Sequence, residues 1–369
     1  MNLTFVVAEF NPLTNGHEHL LAEAKKRFPD NKIVVIMSGN FVQRGEPAIT
    51  HSCSRTDVAL SLGADAVIEL PVAFAISSAE DFAYGAVKIA SSFAGENVLL
   101  FGSECGDLSL LQNAEIKLRE MNNSPLLKKN LKSGKSFATS QIEAVGGVLL
   151  SPNNLLGVMY LKAIKDLNSP LKPHTILRTG EYNSNSLNST FVSASALREY
   201  IKKGDFSALE GKMPQVMLEK LKSSTLPDTN KLFSMLKYKF LTTPANELNK
   251  IEGVTEGIEY RIMDKIESAH SFEELISLVS TKRYPASKVR RIVLKTLLGI
   301  QKDQKKDIKE NLNYFRVLGV KEKSTYSLLS NSSFVMLSKK KDEKQLSEKQ
   351  QSFLALDILA DKIYDFITI

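Results

Sequence analysis

The first two hundred residues of this chain repeat one pattern: a short run of aliphatic, largely β-branched residues, then a polar-faced helical segment, then another run. Strands are expected at Leu3–Glu9, Ile33–Met37, Ala66–Leu70, Val98–Phe101 and Thr175–Arg178. In the first intervening stretch Leu20, Leu21, Ala24 and Phe28 recur near a 3.6-residue period while Glu18, Glu23, Lys25 and Lys26 face away. Further helices are expected at about Ser54–Leu62, Ser78–Ala94 and Ser151–Leu167. Strands alternating with helices call for a parallel sheet covered on both faces, a doubly wound α/β domain. Ligands of such folds sit beyond the carboxyl ends of the strands.

From about residue 201 the pattern changes. Gln215–Ser223, Thr229–Lys239, Gly257–Ala269, Phe272–Val279 and Lys288–Leu298 read as helices, with Gly299 placed to stop the last. Tyr314–Leu318 is expected as an isolated strand or buried segment, Lys339–Lys341 as a solvated loop, and Phe353–Phe366 as a final apolar helix. At 369 residues the chain exceeds one ordinary domain. Two are expected: an α/β domain over 1–200 and a mainly helical one over 201–369.

Charge divides at the same place. Residues 1–200 hold 18 Lys and Arg against 19 Asp and Glu, whereas 201–369 hold 30 against 22, so the net +7 belongs to the second half. Such a split fits a polyanion partner, nucleic acid above all, and equally a lysine-rich helical domain that is simply well solvated. With 43% hydrophobic residues and no apolar run of the roughly 18 residues that span a bilayer, a soluble globular protein without a membrane partner is expected. The chain opens directly into Leu3–Val7 with no basic leader, so no signal peptide is expected. Cys53 and Cys105 make neither a disulfide framework nor a zinc site. The cytoplasm is the expected compartment.

The strongest local signal is the run Glu9-Phe10-Asn11-Pro12-Leu13-Thr14-Asn15-Gly16-His17 between the first strand and the first helix. Pro12 and Gly16 shape a turn, and the helix end that follows attracts phosphate through its free amides and dipole. Gly16 removes a side chain where a nucleotide must come close. Thr14 can donate a hydroxyl or cap the helix. His17 can donate to a phosphoryl oxygen as charge builds there, while an ordinary strand–turn–helix with a surface histidine is the plainer alternative. His19, two residues on, points to a different helix face and is expected in solvent.

Thr14-Asn15-Gly16-His17 matches the Thr/His-x-Gly-His signature of the nucleotidyltransferase superfamily. Further groups follow in order: Ser38–Ala48, Phe101–Glu104, Pro152–Gly157, Arg178 and Ser193–Arg198. Lys282-Arg283-Tyr284, Arg290-Arg291 and Tyr314–Gly319 complete the series. Together they closely resemble the bacterial tRNA(Met) cytidine acetate ligase family over nearly the whole chain. One departure is Thr14, where that family usually has histidine.

The resemblance implies a Rossmann-like nucleotidyltransferase domain in which His17, with Thr14, acts at the α-phosphate of ATP. It implies that Val7, Ala8, Glu9, Phe10, Asn11, Pro12, Leu13, Thr14, Asn15, Gly16, His17, Glu18, His19 and Leu20 bind ATP, chiefly through backbone. Gly102, Asn153, Arg178 and Ser195 join them. It implies an ATP-dependent ligase that makes acetyl-adenylate from acetate, then acetylates N4 of the wobble cytidine of elongator tRNA(Met). Acetate and that tRNA are the partners; no protein partner is implied.

These residues have readings of their own. Gly102 suits a close ligand or a tight turn. Asn153 suits a base or ribose edge, or a helix cap. Arg178 at a strand end suits a phosphate or a surface ion pair. Ser193 and Ser195 start a helix with Arg198 one turn on, fit for a phosphate or for capping alone. Gln43 and Arg44 sit in a loop that could reach the acyl group or the RNA. No His/Cys/Asp/Glu spacing marks a metal cage, and Mg²⁺ is expected mainly with the ATP phosphates. For RNA, Thr281–Arg291 is the candidate: Lys282, Arg283, Arg290 and Arg291 for phosphates, Tyr284 for stacking on a base. A solvated basic helix start is its alternative. Two other functions fit parts of the pattern. A small-molecule adenylyltransferase leaves the basic half without purpose, and a non-catalytic nucleotide-sensing RNA-binding protein has no need of the His17 imidazole.

Overall fold

The computed structural model describes residues 2–122, 151–178 and 191–369. β1 (Leu3–Ala8) leads into α1 (Asn15–Arg27) and β2 (Lys32–Ser38). A hairpin of two-residue strands, β3 (Phe41–Val42) and β4 (Glu46–Pro47), precedes α2 (Ser52–Ser61), β5 (Ala66–Leu70), the single turn α3 (Val72–Ala75) and α4 (Ala79–Ala90). Then come β6 (Val98–Ser103), α5 (Leu108–Asn122), α6 (Pro152–Asp166), β7 (Lys172–Leu177) and α7 (Ala194–Lys202). The second half runs through α8 (Gln215–Lys222), α9 (Thr229–Thr242), α10 (Ala245–Leu248), α11 (Ile258–Ser268), α12 (Phe272–Val279), α13 (Ala286–Leu298) and α14 (Lys302–Asn311). It ends with β8 (Tyr314–Val320), α15 (Lys323–Leu329), β9 (Val335–Leu337) and α16 (Glu348–Thr368).

One seven-stranded sheet organises the molecule, in the order β7-β6-β1-β2-β5-β8-β9. The first five are parallel, with Val6 beside Val35 and Val35 beside Val67. Side chains of β1 alternate between two cores: Leu3 and Phe5 pack with α4 and α6, whereas Val6 and Ala8 pack with α1, α2, α7 and α8. Both faces are therefore covered, which is why these strands are continuously apolar.

The C-terminal half does not stand apart from this sheet. Tyr314–Val320 is a strand but not an isolated one: β8 pairs antiparallel with β5, setting Ile68 beside Val317, and β9 extends the edge. The helices α9 and α11 to α13 share one apolar core with the α4–α6 face. Gly299 caps α13 with a φ of +72°, the left-handed stop its position predicts. Lys340–Gln345 forms a short 3₁₀ turn rather than an irregular loop. β1 lies between β2 and β6, so the chain leaves its carboxyl end in one direction and returns on the other side. That is the switch point where an open α/β sheet has a crevice.

Candidate active site

Two adjoining cavities open at that crevice. The first, about 850 Å³, is lined by Thr14, Gly16, His17, His19 and Leu20 of the β1–α1 turn, by Phe101 and Gly102 of β6, and by Asn153, Tyr160 and Arg178. The second, about 1020 Å³, takes in Glu9, Phe10, Asn11, Gln43, Arg44, Phe82, Ser195 and Arg198. Val7, His17, Asn153, Leu156, Tyr160, Arg178 and Ser193 line both. Ala8 lines the second as well.

The turn that carries His17 is tightly specified. The Asn11–Pro12 peptide is cis, and Phe10 adopts a φ of +51° while fully buried. Asn11 Oδ1 accepts from the Ile49 amide at 2.7 Å, and its carbonyl accepts from Arg198 Nη1 at 2.7 Å. Leu13 and Pro12 are buried supports, and Asn15 Nδ2 donates to the Gly211 carbonyl at 3.0 Å. Glu18, half-buried, lines neither cavity.

The Thr14 amide donates to His17 Nδ1 at 3.0 Å, and Thr14 Oγ1 lies 3.1 Å from the same nitrogen. Nδ1 therefore holds a lone pair and the proton sits on Nε2. The edge of the ring meets Phe10 at 5.1 Å. Burial first, and the Arg178 cation second, push its pKa down to about 3. His17 is thus a neutral imidazole with a single N–H to offer the cavity.

Other expected residues fall into place around it. A Cβ built on Gly102 meets only Arg178 Cβ at 3.9 Å, and one on Gly16 only Thr14 Oγ1 at 3.6 Å, so both glycines keep open space rather than serve packing. The Arg178 amide extends the β6–β7 ladder by donating to the Ser103 carbonyl at 2.8 Å, which fixes its backbone at the mouth. Asn153 Nδ2 donates to Glu104 Oε1 at 2.6 Å, leaving the Asn153 oxygen for a ligand. Glu104 also accepts the Asn153 and Asn154 amides, capping α6 with a charge. Ser193 caps α7 by accepting from the Ala196 amide, and Arg198 Nη2 reaches Ser195 Oγ at 3.4 Å and Glu46 at 3.3 Å. His19 departs from the expectation of solvent: it is half-buried, lines the first cavity and meets Phe191 edge-on at 6.1 Å.

The expected RNA segment is rearranged by tertiary packing. Tyr284 is 6% exposed, its hydroxyl donates to the Thr255 carbonyl at 2.6 Å, and Lys288 lies over its ring, so it has no free face for a base. Arg290 pairs with Glu273, and the half-buried Arg291 donates to the Gln43 carbonyl at 3.3 Å. Lys282 and Arg283 are exposed, the latter paired with Glu256. Arg44 is exposed at the rim of the second cavity.

Sequence reasoning missed Tyr160 and Arg55. Tyr160 follows Asn153 and Leu156 at helical spacing, a signal that could have placed it. Arg55 was hidden because its work is structural: fully buried, it donates to the carbonyls of Glu9, Ser38, Gly39 and Thr50, tying β1 to the following loop.

Residues 1–369 match the family model described as HIGH Nucleotidyl Transferase. A tRNA(Met) cytidine acetate ligase of Clostridium perfringens is 37% identical over 395 residues, covering 100% of this chain and 96% of that protein. The chain belongs to the tRNA(Met) cytidine acetate ligase family. Another member, from Thermoanaerobacter sp., is 40% identical over 339 residues, covering 88% of this chain and 84% of its own. The apo crystal structure of Thermotoga maritima TmcAL superposes with a TM-score of 0.91 at 26% identity, covering 100% of this chain and 95% of that one. The same protein bound with alpha-thio ATP gives 0.88. The family members share the mostly parallel α/β architecture and its helices, so the expected fold class and the recognised family both stand.

Proposed function

We propose that this protein joins acetate to ATP as acetyl-adenylate and passes the acetyl group to N4 of the wobble cytidine of elongator tRNA(Met). The observation that carries this reading is the neutral His17 imidazole. Its one N–H faces a cavity at the sheet's switch point, and a second cavity adjoins it. Acetate is a poor acyl donor, and adenylation supplies a leaving group. Adenylyl transfer needs alignment and charge stabilisation more than covalent help. A fixed neutral donor meets the α-phosphate oxygen as its charge grows, and the first turn of α1 adds its dipole. Gly102 and Asn153 hold the adenosine in this scheme, while Arg178 and Ser195 hold phosphate.

Glu9 is the one carboxylate among the residues lining the two cavities, and no group of three His, Cys, Asp or Glu stands together among the described residues. Any Mg²⁺ would therefore be held mainly by the ATP phosphates. Residues 1–200 carry the chemistry in this scheme and 201–369 grip the tRNA, as a division of labour within one shared sheet. Among the described residues no helix is long and apolar enough to cross a membrane, and the cytoplasm, where tRNA is found, is the compartment we assign.

The test is to incubate the protein with ATP, labelled acetate and bulk tRNA, then digest and resolve the nucleosides. Label in N4-acetylcytidine is the expected result. Its absence, with elongator tRNA(Met) present and folded protein, would sink the proposal.

A further inference from the structure

The second cavity holds two polar groups that the adenylation step leaves idle. Glu9 Oε1 accepts the Gln43 amide at 2.5 Å, whereas Glu9 Oε2 has no hydrogen-bond partner among the described residues. Gln43 Nε2 is buried and also unpartnered. One acceptor and one donor are thus held together by a single backbone bond. The backbone that carries Gln43 is fixed. The Gln43 carbonyl accepts from Arg291, the Gly45 amide closes the β3–β4 hairpin onto Val42 at 2.8 Å, and Gly45, at φ +78°, packs against the backbone of Arg290 and Arg291. Phe82, Leu155 and Leu156 give the same cavity apolar walls suited to a flat ring.

We propose that this cavity receives the cytosine of the target nucleotide, with Glu9 Oε2 taking a proton from the N4 amine and Gln43 Nε2 donating to N3 or O2 of the ring. The assignment rests on the function proposed above and deepens it. Acetate has no donor to offer a carboxylate, and the phosphate of the adenylate meets Arg178 and Ser195, which line the same cavity, rather than the Glu9 oxygen. The cytosine N4 amine is the donor that a carboxylate reads. The cavity shares His17, Asn153 and Arg178 with the first, so a base seated there adjoins the acyl phosphate.

In the transfer, the N4 lone pair attacks the acetyl carbonyl and a C–N bond forms. The bond from the acyl carbon to the phosphate oxygen breaks, AMP leaves with that electron pair, and one N4 proton passes to Glu9. The amine of cytosine is weakly nucleophilic, so a base at this point matters. Burial raises the Glu9 pKa above the ordinary carboxylate range, against the lowering effect of the Gln43 amide, Arg198 and Arg44; Glu46 adds to the rise. Arg55 and Tyr160 also face it. A base raised above the ordinary carboxylate range is better matched to this task.

The test compares two half-reactions of the full-length protein: acetate-dependent ATP–pyrophosphate exchange without tRNA, and single-turnover transfer from synthetic acetyl-adenylate to bulk tRNA. Glu9→Gln keeps an acceptor for the Gln43 amide and loses the base. Transfer is expected to fall about a hundredfold, and by at least about ten times more than exchange falls. Gln43→Ala is expected to raise the tRNA KM of transfer. In wild-type protein the transfer rate should show an acid limb that exchange lacks, and this profile stands as a test even if Glu9→Gln fails to fold. Equal losses in both half-reactions, or transfer without an acid limb, would overturn the assignment of Glu9. Wild-type protein inactive in both half-reactions would overturn the proposed function as well.

Discussion

At the start of α1 the Thr14 amide and hydroxyl both approach Nδ1 of His17, so the ring turns its Nε2–H to the cavity. The threonine orients the imidazole with a short side chain. The same geometry has a cost in acid. His17 titrates near 6.5 when unfolded and at about 3 when folded, because burial and Arg178 disfavour its cation. Below pH 6.5 the unfolded chain binds a proton that the folded chain refuses. The stability this neutral ring contributes is therefore full above 6.5 and is lost as pH falls toward 3, at up to about 1.4 kcal/mol per pH unit. His17→Asn keeps an acceptor for the Thr14 amide and does not titrate. Urea unfolding of ligand-free protein at pH 7.5 and 5 should show wild type losing more stability than the variant. Parallel losses would mean the ring is not held neutral. Adenylate formation should vanish in His17→Asn while tRNA binding survives, and unchanged turnover would remove His17 from the mechanism.

The segment Thr281–Arg291 shows what an element adds to its own sequence. Read alone, it offers five cations and an aromatic; folded, it turns Tyr284 inward against Thr255 and uses Arg291 to hold the Gln43 carbonyl. Lys282 and Arg283 remain exposed, and an exposed ion pair such as Arg283–Glu256 is weak enough to yield to a phosphate. Reversing both charges should weaken tRNA binding across all tRNA sequences and lower the slope of log K against log salt by about two. An unchanged slope would place the RNA elsewhere. Elsewhere legibility follows the range of the cause. β1, β2, β5 and β6 were readable within two residues because their pattern is local, and so was the turn from Glu9 to His17. The two-residue strands of the β3–β4 hairpin have no periodicity to read. α14 buries only Lys305 and Ile308, so it lacks an apolar stripe. Phe191 reaches the first cavity from a segment remote in sequence from the β1–α1 turn, and no local signal announces a shared wall.

At the scale of the molecule, the net charge describes two halves that the backbone does not separate. β5 would be the edge of the parallel sheet if the chain ended near residue 200, with Ala66 to Ile68 stripped of the β8 ladder. Glu69, buried at the end of β5, pairs with Arg316 of β8 at 2.7 Å, and Arg316 in turn reaches Asp361 of α16 at 2.8 Å. Asp361 accepts from Asn40 at 2.8 Å, and Tyr364 donates to the Ala48 carbonyl at 2.8 Å, so the last helix grips the loop that presents Gln43 and Arg44. Removing Arg316 leaves the buried Glu69, whose pKa burial already pushes up to about 8, without its cation, which favours the protonated carboxyl and loosens the tie between β5 and β8. A fragment of residues 1–200 should therefore lack a cooperative thermal transition and bind a hydrophobic dye, while the full chain unfolds sharply. If the fragment unfolds cooperatively and still binds ATP, the sheet is complete without β8. Residues 1–200 would then fold independently of residues 201–369. If the fragment does not, the loop beside Glu9 is held in shape by the C-terminal half, through Asp361 on Asn40 and Tyr364 on the Ala48 carbonyl.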